Sequence, residues 1–338
     1  MSIDHEAVRA ACGEIADTVV TDPRYRHTST LLVRVDGEDI YQRHFHGHEL
    51  ADVFSVTKTI LATVVGVAQR DRVLPPLDEP VSRVLPQLIG TPAEVHTWRH
   101  LLTMTRGCET GGAWDIDAVT ALPGGQVAHI AAAPQLESPG RRFRYDNGAA
   151  HLLSAALGAI VGGPVADYAR DVLFTPLGIT RFDWLADPDG VSFGFGHLRL
   201  RAVDLLTLGS LWLNRGVWQE QVIVDPAYAA AMTTAHTAGG APEGLPYGYL
   251  TWTDGSQILA GGWAGQHVLV LPAYRAVMVT TGDPQFRFGP PPTDQLPADW
   301  APALRLVRRH LLPALAGTAD ASDPGGTDGQ RTPNPTMT

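Results

Sequence analysis

Phe54-Ser55-Val56-Thr57-Lys58 is the stretch on which the reading of this chain turns. Lys58 is the single lysine among 25 lysine and arginine residues. Arginine stays protonated at any working pH, whereas a lysine amine that is buried or set near other charge can lose its proton. A chain that leaves its surface charge to arginine and keeps one lysine three residues after a serine points to a base. The apolar run Ile60 to Ala68 predicts a helix from about Ser55 to Gln69. Positions i and i+3 share a helical face, so the amine can reach the hydroxyl. A serine at the helix start also lies beside unpaired backbone N–H groups and the positive dipole end, where an oxyanion is stabilised. A chance cap serine near a surface lysine gives the same spacing; the uniqueness of Lys58 favours the chemical reading.

Serine–lysine chemistry also needs an acid for the leaving group. Tyr145-Asp146-Asn147 follows Pro139-Gly140 and precedes the apolar run Ala149 to Val161, which places it in a loop at a helix start. A tyrosine near a lysine ammonium can hold a lowered pKa and shuttle a proton. An asparagine amide can bind both the lysine and a substrate carbonyl. The plainer alternative is a loop tyrosine followed by an ordinary cap at Asp146 or Asn147.

With Ser55-x-x-Lys58 and Tyr145-x-Asn147 in this order, the chain resembles the class C β-lactamases and their relatives in the penicillin-recognising superfamily. Those relatives include esterases, DD-peptidases and the 6-aminohexanoate-dimer hydrolases. His100-Leu101-Leu102-Thr103-Met104-Thr105 is similar to the family's loop before its second motif, and Pro176-Leu177-Gly178 to its Pro-Leu-Gly turn. Gly196-His197-Leu198-Arg199-Leu200 through Asp204-Leu205 looks like the stretch leading into its late helix. The third motif departs. Where the family carries Lys-Thr-Gly or His-x-Gly, this chain has Ala260-Gly261-Gly262-Trp263-Ala264-Gly265-Gln266, similar to the glycine-rich version of the aminohexanoate-dimer hydrolases. By that match the backbone N–H of Trp263, beyond Gly262, joins that of Ser55 in an oxyanion hole. Trp263-Ala264-Gly265 is the alternative register. In either register no cation stands where the family holds a substrate carboxylate, which demotes β-lactam substrates.

The flanking elements predict the architecture. Glu6 to Val20 has helical apolar spacing; Ser29 to Val35 and Ile40 to Phe45 read as strands joined at Asp36-Gly37. Helical segments broken by prolines and loops run to about Trp184, and Phe193 to Asn214 reads as a loop and a helix. Tyr247 to Asp254, Gln257 to Ala260, Gln266 to Leu271 and Ala276 to Thr281 are strand-like, and Ala301 to Leu315 is a closing helix. Strands at both ends and helices between predict an α/β fold: an antiparallel sheet flanked by helices, with an all-helical insertion. The expected division is a sheet domain from residues 1–74 and 186–315, a helical domain over 75–185, and a disordered tail over 316–338.

Composition narrows the function classes. A hydrophobic content of 44% over 338 residues suits a globular chain with a sizeable core. A net charge of −10 with no basic run argues against nucleic acid or an anionic membrane as partner. No apolar stretch approaches the roughly 20 residues of a membrane span, and an acidic start without an apolar core is unlike a signal peptide. Two cysteines suit neither a disulfide framework nor structural zinc. A cytoplasmic location is the simplest expectation. His44, His46 and His48 alternate as ligands on one strand face do, yet no second cluster completes a metal site, so no metal and no cofactor are expected. Trp114, Tyr247, Tyr249 and Trp252 are candidates for an aromatic acyl pocket, and Arg141, Arg142, Arg144 and Arg287 for a cation replacing that of the third motif.

The expected activity is therefore an acyl-enzyme on Ser55 that cleaves a small-molecule ester or amide. Transfer of the same acyl group to an amine or alcohol acceptor is the alternative. β-Lactamase or DD-peptidase action, and a non-catalytic binding module, rank below both.

Overall fold

The computed structural model describes residues 3–283 and 296–317. Numbered in chain order, its first elements are α1 (His5–Thr21), β1 (Thr28–Val35), β2 (Glu38–His44), β3 (Ala51–Asp52) and α2 (Val56–Arg70). The middle section carries α3 (Trp98–Leu102), α4 (Ile116–Thr120), α5 (Gln126–Ala131), α6 (Asn147–Val161) and α7 (Val165–Ala169), then β4 (Asp183–Trp184). After it come β5 (Leu198–Leu200), α8 (Ala202–Leu213), β6 (Val217–Trp218), β7 (Gln221–Val222) and α9 (Pro226–Met232). The last strands are β8 (Thr237–Gly240), β9 (Leu245–Tyr247), β10 (Trp252–Thr253), β11 (Ile258–Gly262), β12 (Gln266–Leu271) and β13 (Ala276–Gly282), followed by helical residues 304–316.

Eight strands form one antiparallel sheet in the order β2-β1-β13-β12-β11-β10-β9-β8, so both halves of the chain build it. The β1–β2 hairpin turns at Asp36 and Gly37, whose φ values of 50° and 84° suit a tight turn of the hairpin twist. Gly209 of α8 lets that helix lie on the sheet, because a Cβ there would come within 2.5 Å of Val277. Trp212 of α8 donates its indole N–H to Thr63 of α2 at 2.9 Å, tying the two helices together. The helix α2 is buried along most of its length, from Val56 to Ala68. Such a helix has no solvent face to spare for a lone lysine.

The last third departs from expectation in detail. Tyr247 to Asp254 is not one strand: it divides into β9 and β10 around Leu250, whose φ is 47°. There the backbone bonds to helical segments instead of a neighbouring strand, Leu250 N–H to Leu102 O at 2.8 Å and Tyr249 N–H to Met232 O at 3.1 Å. The closing helix contains a π-helical stretch at Val307–Leu311. It also runs through Ala316 to a left-handed Gly317, so Ala316 belongs to the helix and not to a tail; 318–338 lie outside the described residues. The strand β2 ends at His44, which leaves His46 and His48 in the following turn and off any shared strand face. Among the described residues no group of three or more His, Cys, Asp or Glu is placed to hold a metal ion.

Candidate active site

Ser55 is the residue just before the first turn of α2, with φ −68° and ψ −7°. Its hydroxyl makes no capping bond to the helix, and is bonded instead by Lys58 Nζ at 2.8 Å. The chain enters Ser55 through Phe54, whose φ of 47° is left-handed and costly for an aromatic residue. Lys58 is 1% exposed; Nζ also donates to the Phe195 carbonyl at 3.0 Å. Burial lowers the amine's pKa from 10.5 to about 7, with Asp146 pulling the other way. Near neutral pH a large share of the amine is then uncharged and free to accept a proton.

Tyr145 comes from the loop before α6 and completes the set. Its hydroxyl interacts with the Ser55 side chain, and Lys58 Nζ lies 5.0 Å from its ring centre. Burial raises the phenol to about 12, with the Ser55 interaction opposing and Glu243 adding. This corrects the expectation of a lowered pKa: desolvation of the phenol outweighs the opposing Ser55 interaction. Tyr145 is therefore held in its protonated form.

The loop is fixed from beneath by a pair that sequence reading did not single out. Asp146 caps α6, accepting the Ala149 N–H at 2.9 Å, and is bound through two of its oxygens by the buried guanidinium of Arg106. Arg106 reaches on to the Ile130 carbonyl at 3.1 Å, which ties α5 to the same loop. An Arg next to Gly107 in a stretch otherwise read as a loop carried no spacing signal. Asn147 opens the helix, and its Oδ1 is buried without a hydrogen-bond partner, an acceptor ready for a substrate N–H.

The third motif is brought beside the nucleophile. A Cβ on Gly262 would sit 2.6 Å from the Val53 carbonyl oxygen and 3.3 Å from the Ser55 nitrogen, so only glycine lets the end of β11 approach the nucleophile this closely. Beyond it the chain leaves the strand through Trp263, with Ala264 at φ 60°. This geometry favours the register in which Trp263 supplies the backbone N–H beside that of Ser55. Ala260 shares the pleat of Gly262, so the strand face turned toward Ser55 carries no cation. Trp263 is 37% exposed and its indole meets the Phe54 ring edge-on at 5.2 Å.

A cavity of about 740 Å³ opens on Ser55, Tyr145, Asn147 and Trp263, with Asp52 and His197 also in its wall. Among the described residues no arginine or lysine lines it. Trp114, Tyr247 and Trp252 are not in the wall. Trp114 stacks on His129 and bonds its carbonyl, while Tyr247 and Trp252 form a buried aromatic backing on which Tyr145 lies parallel at 5.9 Å. Tyr249 bonds Arg99 at 2.7 Å. Arg142 and Arg144 face Glu137, Arg141 is exposed, and Arg287 falls outside the described residues.

The sequence model of the family described as Beta-lactamase matches residues 17–287. The chain belongs to the β-lactamase family. Solved structures share the β-lactamase-family fold at low identity. One is EstCE1, a hydrolase with promiscuous acyltransferase activity: TM-score 0.68 and 19% identity over 82% of this chain and 94% of that one. A penicillin-binding protein homologue from Caulobacter crescentus gives 0.66 and 16% over 81% and 91%. A D-stereospecific amidohydrolase from Streptomyces sp. gives 0.68 and 19% over 94% and 100%. No curated protein sequence matches the chain.

Proposed function

We propose that this member of the β-lactamase family is a serine hydrolase that forms an acyl-enzyme on Ser55 and cleaves a small ester or amide without a carboxylate anchor. One observation carries the reading: the only lysine of the chain is buried, which lowers its pKa to about 7, and its amine lies 2.8 Å from the Ser55 hydroxyl. Lys58 takes the Ser55 proton as Oγ attacks the substrate carbonyl. The developing oxyanion is met by the N–H groups of Ser55 and Trp263, preorganised at a helix start and a strand end. Tyr145 gives its proton to the leaving group and recovers one from the Lys58 ammonium. Water then releases the acyl group.

Transfer to an amine or alcohol is the second reading, favoured by the room the cavity leaves beyond Ser55, up to Ile116 and Thr120 of α4. A panel of activated acyl esters, followed with and without added amines, tests both. Ester turnover that gives only free acid supports hydrolysis; amide formation in preference to acid supports transfer. No turnover of any ester or amide overturns the proposal.

A further inference from the structure

His197 is the only histidine among the described residues of the cavity wall, and nothing in the acylation chemistry uses it. Its backbone is left-handed, φ 58°, a conformation that a non-glycine residue keeps only where its surroundings enforce it. The rings of Phe193 and Phe195 enclose the imidazole at 4.7 and 6.0 Å, and Nδ1 lies 3.7 Å from Asp52 Oδ2. The same carboxylate accepts the Phe54 N–H at 2.7 Å. Asp52 thus faces two left-handed residues, bonding the one that leads into Ser55 and approaching the imidazole of the other. Two residues before His197, the Phe195 carbonyl holds Lys58 Nζ. The imidazole therefore belongs to the same bonded frame as the nucleophile and its base.

We infer that His197, oriented by Asp52, is the base for the second half of the reaction, taking the proton of the acceptor that attacks the acyl-enzyme. This rests on the acyl-enzyme reading above. The acceptor, water or an alcohol or amine, bonds to the acyl carbon through its oxygen or nitrogen while its proton passes to the free imidazole nitrogen. The bond from the acyl carbon to Ser55 Oγ then breaks, and Oγ takes the Tyr145 proton. His197 returns its proton to solvent at the open mouth, and Tyr145 regains one there. Burial lowers the proton affinity of His197; Arg199 of β5 acts in the same sense and Asp52 of β3 against it. Asp117, Tyr145 and Lys58 are the remaining titratable groups of the cavity and its floor. The neutral ring is the form a base needs near pH 7.

The test is burst kinetics with a p-nitrophenyl ester, with intact mass recorded on the same samples, for the wild type, His197→Asn and Asp52→Asn. Asparagine tolerates the left-handed backbone but cannot act as a base. His197→Asn is expected to keep its burst rate within about threefold and to lose at least roughly 100-fold in deacylation, the low end of general-base effects. The acylated mass then accumulates, and deacylation no longer rises with pH as the imidazole deprotonates. Asp52→Asn gives a smaller loss in the same step. Wild-type deacylation with an unchanged pH profile in His197→Asn overturns the inference, as does an equal fall of burst and deacylation, which marks a structural role. Absence of any burst or adduct in the wild type removes the acyl-enzyme reading and this inference with it.

Discussion

At the scale of single residues, the account depends on what an amine can do and a guanidinium cannot. Lys58→Arg keeps the charge and loses the base, so its kcat/KM for an ester is expected to fall nearly as far as that of Lys58→Ala, by at least about 100-fold. Retention of a large share of activity in Lys58→Arg shows a fixed positive charge at work instead of a base. The same residue sets the pH dependence. A base is active when unprotonated, and burial holds Lys58 at about 7, so the acylation rate should rise with pH through a midpoint near 7. Tyr145, raised to about 12, keeps its acidic proton across that range. A stopped-flow burst rate that stays flat between pH 5 and 9 contradicts this assignment. Ser55 and Lys58 were legible in the sequence because their chemistry is rare: one lysine in the chain, three residues after a serine at a helix start. The direction of the Tyr145 shift was not legible. It depends on how deeply the phenol is buried, and on Glu243 far downstream in the chain.

At the scale of elements, Tyr145 and Asn147 are placed by a buried ion pair. Arg106 is 1% exposed and binds Asp146, which in turn caps α6. Removing one member leaves a buried charge without its partner, so Arg106→Ala should lose about 3–5 kcal/mol of stability in denaturant unfolding, together with most of the activity. A loss under about 1 kcal/mol would mean that water reaches the site and the loop is held by other contacts. Sequence reading offered Asp146 as an ordinary cap and found no partner for it, because the two residues meet only through folding. It also joined β9 to β10 as one strand, since alternation persists across Leu250 while the backbone turns to bond with Leu102 and Met232. By contrast the β1–β2 hairpin was plain, as Asp-Gly between two apolar runs admits few other conformations. The strand β8, Thr-Ala-Gly-Gly, has no apolar alternation to reveal it.

For the whole molecule, the sheet draws its strands from both ends of the chain, and the end of its inner strand β11 presents glycine and alanine to the nucleophile in place of a cation. The cavity wall carries the carboxylates of Asp52 and Asp117 and, among the described residues, no arginine or lysine. One missing charge-assisted bond to a substrate carboxylate costs about 1.5–3 kcal/mol, or roughly ten- to a hundredfold in kcat/KM. Neutral short-chain esters should therefore outrun penicillins and cephalosporins with matched leaving groups, and nitrocefin turnover within about tenfold of the best ester would refute this substrate class. The central claim is the covalent bond on Ser55. Its most direct measurement is intact-mass spectrometry of the protein quenched in acid seconds after mixing with an activated acyl ester, with peptide mapping of the adduct. One acyl group per chain is expected, on the peptide containing Ser55, and none in Ser55→Ala protein of unchanged Tm. An adduct that persists in Ser55→Ala, or one that maps to another residue in the wild type, would contradict it.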